Sequence, residues 1–332
     1  MQRSGPNHAS RPTRRDFLGA SLAVVSTPLV SAALAAPGRA EAETATPATL
    51  AFAADGKEYC FDTGALRGVL RAQGKSLGLA PLVDAASGTT IARAYGACSH
   101  YRLLDADARY GSAAWDWASQ SRLAPDGSVE VNWSADNDHP FDMTAAYRWT
   151  APNTLDVVTA VVARKALRGF EVFLASYFAG FASSLVYVQG CPETGGRPGL
   201  LEAKKSYAVW QMFPRDDAAV ALIQDGRWKR PPNPVEWRIM PRLAGPLAVR
   251  REAKTGLVAL LMAPPGDCFA VATPYSEEAH YSIYLSLFGR DLTAGQTATA
   301  RSRLVVARGI SDPQAVALYE AYAKEAQAGG KR

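Results

Sequence analysis

Apolar and polar residues alternate along much of this chain. Residues 128–133 set Val129, Val131 and Trp133 on one face, with Glu130 and Asn132 on the other. Met143, Ala145, Tyr147 and Trp149 alternate with Thr144, Ala146 and Arg148. A period of two is the mark of a strand with one buried face. Residues 154–162 are apolar on both faces, which predicts a strand buried between two layers. Further strand-like runs cover 170–178, 184–188, 219–223, 247–251, 257–262, 269–273, 281–288 and 299–307. Between them stand turn residues: Pro125-Asp126-Gly127, Ala151-Pro152-Asn153, Asp225-Gly226 and Ala294-Gly295. Many strands joined by short turns predict an all-β fold, a large antiparallel sandwich. Helix is expected only near the end. Asp312-Pro313 reads as an N-cap followed by Pro at the first position. Ala315, Leu318, Tyr319 and Tyr322 then form one stripe running to about residue 327.

The first 43 residues follow a different pattern. Thr13-Arg14-Arg15-Asp16-Phe17-Leu18 opens a segment with no charge from Phe17 to Ala36, and small residues follow at 33–36 and 39–42. A charged start, an apolar middle and a small-residue end describe a secretory leader. The paired arginines followed by Phe-Leu resemble the bacterial twin-arginine export signal. Cleavage would leave one domain, residues 44–332, in the periplasm or secreted, with the twin-arginine export machinery as a partner. No further membrane span is expected.

Charge and cysteine content narrow the classes. The whole chain has 36 basic and 31 acidic residues; without the leader these fall to 31 and 28. So mild an excess, scattered along the chain, argues against nucleic acid as a partner. Cys60, Cys98, Cys191 and Cys268 are far apart and form no C-x-x-C pair. Buried thiols are the simplest reading, with one bridge possible in an exported protein.

Candidate chemistry gathers between Tyr95 and Trp149. Four of the seven tryptophans lie there, Trp115, Trp117, Trp133 and Trp149, with His100, His139, Arg102 and Arg109. Rings, imidazoles and guanidinium groups between short strands suit a groove for a polar ring, a saccharide. Alternation puts His100 and Arg102 on one face and Tyr101 on the other. Asp136 and Asp138 stand close to His139 in sequence. Glu171 shares a face with Phe173 and Tyr177, as an acid or base beside sugar-stacking rings would. Residues 206–237 carry Trp210, Gln211, Arg215, Asp225, Trp228 and Trp237, with prolines that stiffen a loop able to cover a ligand. His280 falls in phase with Ser282, Tyr284 and Ser286 on a polar sheet face.

The end of the chain, HYSIYLSLFGRDLTAGQTATARSRLVV (280–306), has a long aromatic strand, a Gly turn and a basic, apolar last strand. This hairpin resembles the closing strands of galactose-mutarotase-like domains in detail, and most of 50–307 is similar in its pattern of strands and turns. The resemblance implies a β-supersandwich, as in aldose 1-epimerases and beside the catalytic modules of glycoside hydrolases and polysaccharide lyases. It also implies a pair of histidines with a carboxylate base, with His100 and His139 in the histidine roles.

Two readings follow. In the first, an exported carbohydrate-active enzyme uses Glu171 with His100 or His139 for acid–base chemistry, Asp116 or Asp225 supplying a second carboxylate for hydrolysis. Lyase action would instead draw on Tyr101, His100 and Arg102. Arg102, Arg109, Trp115, Trp117, Tyr177, Trp210, Gln211, Arg215, Asp225, Trp228 and His280 would bind substrate. In the second, the same groove belongs to a non-catalytic carbohydrate-binding or envelope protein. No dinucleotide fingerprint, P-loop, nucleophile elbow or zinc-protease spacing is present, so neither a cofactor nor a metal is expected. Replacing Arg14 and Arg15 together by Lys is expected to stop export. Fractionation of cells making the variant checks this; an undiminished periplasmic yield would remove the twin-arginine assignment.

Overall fold

The computed structural model describes residues 50–275 and 280–329; the leader lies outside them. The described chain opens with β1 (Ala53–Asp55), β2 (Glu58–Asp62), β3 (Leu66–Arg71), β4 (Gly78–Asp84) and β5 (Thr90–Ala92), which form a five-stranded meander in that order. It is short-stranded and interrupted by Gly, which hides its period of two in the sequence. Phe52 and Phe61 pack on Trp149, with ring centroids 6.1 and 4.8 Å away, and join this meander to the main core.

Two larger sheets follow. Their strands are β6 (Ser99–Leu104), β7 (Gln120–Leu123), β8 (Val129–Trp133), β9 (Phe141–Ala151), β10 (Thr154–Ala163) and β11 (Leu167–Tyr177). Then come β12 (Ser183–Val188), β13 (Gly199–Glu202), β14 (Trp210–Pro214), α1 (Asp217–Gln224) and β15 (Arg238–Ile239). The chain closes with β16 (Leu243–Arg251), β17 (Leu257–Met262), β18 (Cys268–Pro274), β19 (Ser282–Leu292), β20 (Thr297–Arg308) and α2 (Asp312–Gly329). One sheet has nine strands in the order β13-β12-β16-β17-β20-β10-β9-β8-β7; the other has six, β15-β14-β18-β19-β11-β6. Apart from the parallel β14–β15 pair, every ladder is antiparallel. The molecule is a large antiparallel β-supersandwich with a C-terminal helix.

The layers meet through Phe141, Trp133, Tyr147, Val157, Phe170, Val172, Leu174 and Leu285, all buried. Polar bonds cross the same interface. Ser184 and Thr273 pair at 2.7 Å, and the Tyr147 hydroxyl donates to the Cys98 carbonyl at 2.9 Å. A second core lies outside the nine-stranded sheet, where Ala315, Tyr319 and Tyr322 of α2 cover Leu247, Val249, Leu260 and Met262. The nine-stranded sheet's doubly buried strand is β17, whose six residues are all buried; in the other large sheet all seven residues of β18 are buried as well. β10 is not: α2 leaves its outer face open, and Val158 is exposed.

Two local expectations are corrected. Residues 219–223 are helical, within α1, because the Asp216 carboxylate accepts from the Ala219 backbone N–H at 2.8 Å and caps the first turn. The cap of α2 is Ser311 and not Asp312: the Ser311 N–H donates to the Gln314 side chain at 2.9 Å, and Ser311 Oγ accepts from the Gln314 N–H. All four cysteines are free, Cys98 and Cys268 fully buried. Among the described residues no helix is long and apolar enough to cross a membrane.

Gly245 of β16 is where α2 comes closest. A Cβ there would sit 2.2 Å from the Tyr319 hydroxyl oxygen. Gly245→Ala is expected to cost about 1–3 kcal/mol through overpacking, read as a fall of several degrees in Tm. An unchanged Tm would mean that the Tyr319 ring moves aside freely.

Candidate functional site

The outer face of the six-stranded sheet carries the candidate site. Alternation along β11 sends Phe170, Val172 and Leu174 into the sandwich core and Glu171, Phe173, Ala175 and Tyr177 outward. Tyr284 of β19 lies opposite Ala175. Its ring stacks on Phe173 at 4.5 Å and meets Tyr177 edge-on at 5.9 Å. These three rings floor a groove of about 510 Å³. Its walls are Trp115, Trp210, Trp228 and Trp237, with Tyr95 and His280 also on the lining. A second cavity of about 340 Å³ adjoins it, sharing Tyr95, Tyr177 and His280 and including Arg93.

Strand β6 contributes through an irregularity. Leu174 pairs with His100 and Phe173 with Arg102, so two steps on β6 answer one on β11. This bulge at Tyr101 shifts the alternation by one residue. His100 therefore faces the core, while Tyr101 and Arg102 both line the groove. The expectation that His100 and Arg102 share a face is corrected by that extra residue. Tyr101 stacks on Trp115 at 4.6 Å, nearly parallel. Arg102, 4 % exposed, has its guanidinium 5.1 Å from the Trp228 ring centroid and 5.2 Å from that of Tyr101.

The wall formed by the 215–240 segment is fastened at two places. Arg227, with no exposed surface, donates to the Gly169 carbonyl at 2.7 Å, to Glu171 at 3.2 Å and to Asp225 at 2.8 Å. A side chain at Gly169 (φ +55°) would strike Leu222 and Arg227, so glycine lets this segment lie close on β11. Further along, Arg102 donates to the Asn233 carbonyl at 2.7 Å and Arg109 to that of Pro232, which holds the proline-rich loop over the groove. Gln211 is buried and donates to the carbonyls of Lys204 and Ala208, both at 2.8 Å, which fixes the loop leading to Trp210.

The expected acid–base set is not assembled. Burial pushes the Glu171 carboxyl up, opposed by the Arg227 charge, and its ion partner is Arg227, with no imidazole. Glu171 lies on the groove side of β11 but beneath the Arg227 segment, off the groove lining. His100 is in the sandwich core, its Nε2 2.9 Å from Thr159 Oγ1, and burial lowers its pKa to about 3. His139 stacks on Trp117 at 4.1 Å with Nδ1 2.8 Å from Asp136, in a separate shallow cavity that also holds Asp116 and Asp138. Burial raises the Tyr177 pKa far above the usual phenol range, so its hydroxyl stays protonated.

Of the residues expected to bind substrate, Arg102, Trp115, Tyr177, Trp210, Trp228 and His280 line the groove, together with Tyr101. Arg109, Gln211 and Asp225 support it from behind. Arg215 pairs with Asp216 at 2.8 Å at the start of α1, and Trp117 belongs to the His139 cavity. Sequence reasoning left Tyr95, Phe173, Asn233, Val235, Trp237 and Tyr284 out of the binding set. The phase of Tyr284 with Ser282 and Ser286 was the available signal for one of them. Among the described residues no group of three or more His, Cys, Asp or Glu side chains is placed to hold a metal ion.

No protein-family profile matches this chain, and no curated protein matches it. Solved structures with a similar fold include a galactose mutarotase related enzyme from Lactobacillus acidophilus. It is 10% identical, with 77% of this chain and 99% of that chain covered and a TM-score of 0.43. An alpha-N-acetylgalactosaminidase from Bifidobacterium bifidum is 12% identical, with 80% and 39% covered and a TM-score of 0.46. A mutant heparan sulfate lyase from Pedobacter heparinus is 8% identical, with 78% and 37% covered and a TM-score of 0.43. At such identities the function has to be argued from this chain's own residues.

Burial of His100 has a consequence for stability. Its folded pKa, about 3, lies below the ordinary value of 6.5, so between these the unfolded chain binds the extra proton. The stability it contributes is complete above about pH 6.5 and is lost as pH falls toward 3, by up to about 1.4 kcal/mol per unit. Urea unfolding near pH 7 and near pH 5 should show this loss, and His100→Gln should remove that part of it. Equal slopes in the two proteins would mean that His100 is protonated in the fold.

Proposed function

We propose that this chain is an exported saccharide-binding protein that holds its ligand in the aromatic groove of the six-stranded sheet. The lining carries the proposal. Nine aromatic side chains surround a space of about 510 Å³, and among the described residues no carboxylate lies on it. Sugars present apolar C–H faces that stack on rings, and hydroxyls that need a few fixed polar partners. Tyr101, Tyr177, Tyr284, Arg102 and His280 are such partners. Acid–base hydrolysis of a glycoside calls for two carboxyl groups about 5–10 Å apart across the scissile bond. Glu171 is engaged by Arg227 off the groove lining, so binding without cleavage is the reading that fits best. The leader, with Arg14-Arg15 ahead of Phe17-Leu18, supports delivery to the periplasm or beyond by the twin-arginine route.

Calorimetric titration of the leaderless chain against a panel of oligosaccharides tests this. Binding by at least one is expected, and Trp228→Ala should weaken it about tenfold or more. Reducing ends should not accumulate over the same incubations. Steady release of reducing ends by the unmodified chain would replace the binding reading with an enzymatic one, and failure to bind any member would remove the saccharide.

A further inference from the structure

Among the described residues the charges on the groove are one-sided. Among the described residues, the two adjoining cavities are lined by Arg102, Arg93 and His280 and by no acid. Arg102 is the informative member, since Arg93 is exposed. A buried guanidinium has given up most of its hydration, a cost normally offset by a carboxylate or a full set of acceptors. Arg102 has neither among the described residues: its one hydrogen bond is to the neutral Asn233 carbonyl, and its Nε has no partner. Arg109 nearby adds a second positive charge, held by the backbone carbonyls of Pro232 and Ser112. Two further donors on the lining are buried without an acceptor, the indole N–H groups of Trp228 and Trp237. Hydroxyls of a neutral sugar both donate and accept, whereas this inventory is weighted to donors and to positive charge.

We infer that the ligand is an acidic saccharide whose anionic group, a carboxylate or a sulfate ester, is bound by Arg102 while the sugar ring stacks on the groove's aromatic walls. This rests on the saccharide-binding reading and deepens it. A planar fork of N–H donors matches either anion in a two-point contact. Burial keeps that contact poorly screened. The second cavity, with Arg93, gives an oligosaccharide room for a further acidic unit.

The test compares ligands that differ only in charge. The leaderless chain is titrated calorimetrically with tetragalacturonate, with its full methyl ester, with a sulfated carrageenan tetrasaccharide and its desulfated form, and with cellotetraose. At least one acid is expected to bind about thirtyfold tighter than its neutral counterpart, and which one identifies the anion. Arg102→Met should abolish that preference, so that an acid and its neutral counterpart bind alike, and Arg102→Lys should restore part of it. If neutral forms bind as tightly as both acids, the anion assignment falls and the saccharide reading stands. If no glycan binds, both fall. Should Arg102→Met fail to give a folded circular dichroism spectrum, the acid and ester pair on the unmodified chain decides alone.

Discussion

The outer half of this molecule depends on one buried cation. Arg227 has no access to water, and it is tolerable there because Glu171, Asp225 and the Gly169 carbonyl surround it. Removing one partner from such a cluster leaves charge uncompensated in a low dielectric, and that penalty exceeds the net worth of the pair itself. The cluster ties the 215–240 segment down on β11. Trp228, the next residue, thereby becomes a wall of the groove, packed edge-on to Phe173 at 4.7 Å. The carboxylate that looks most like a catalyst in the sequence instead holds this wall in place.

The six-stranded sheet separates two kinds of environment. Its inner face meets the nine-stranded sheet in an apolar interface crossed by a few polar bonds, such as His100 to Thr159, where the buried Trp133 indole N–H also lacks an acceptor. Its outer face carries rings, an under-bonded guanidinium and indole donors without acceptors. Unsatisfied donors are expensive in a core and are retained where a ligand supplies the acceptors. The aromatic groove proposed as the saccharide site lies on this outer face.

The fold was largely legible because its longer strands obey a period of two. The split of β11 into a core face and a face bearing Glu171, Phe173 and Tyr177 could be read directly. What escaped was non-local or irregular. Glu171 is 56 positions from Arg227, so no pattern near it announces the ion pair. Residues 219–223 are apolar enough to pass for a strand, and the Asp216 cap that settles the matter lies just before the run. The first five strands are short, and Gly68 and Gly78 stand within β3 and β4. Four tryptophans between 115 and 149 suggested one cluster, yet the fold sends Trp115 to the groove and Trp117, Trp133 and Trp149 into buried packing.

The bulge at Tyr101 has a bearing on how this protein can be compared with others. On β6, whether a side chain faces the core or the groove is decided by its count from the bulge and not by its chemical type. A residue-by-residue alignment with a regular strand that matched Arg102 correctly would set His100 against a groove-facing position; one that matched His100 would set Arg102 against the core. A single gap placed at 101 satisfies both. Relatives of this chain are therefore better sought with that gap allowed, and judged by whether a guanidinium follows it.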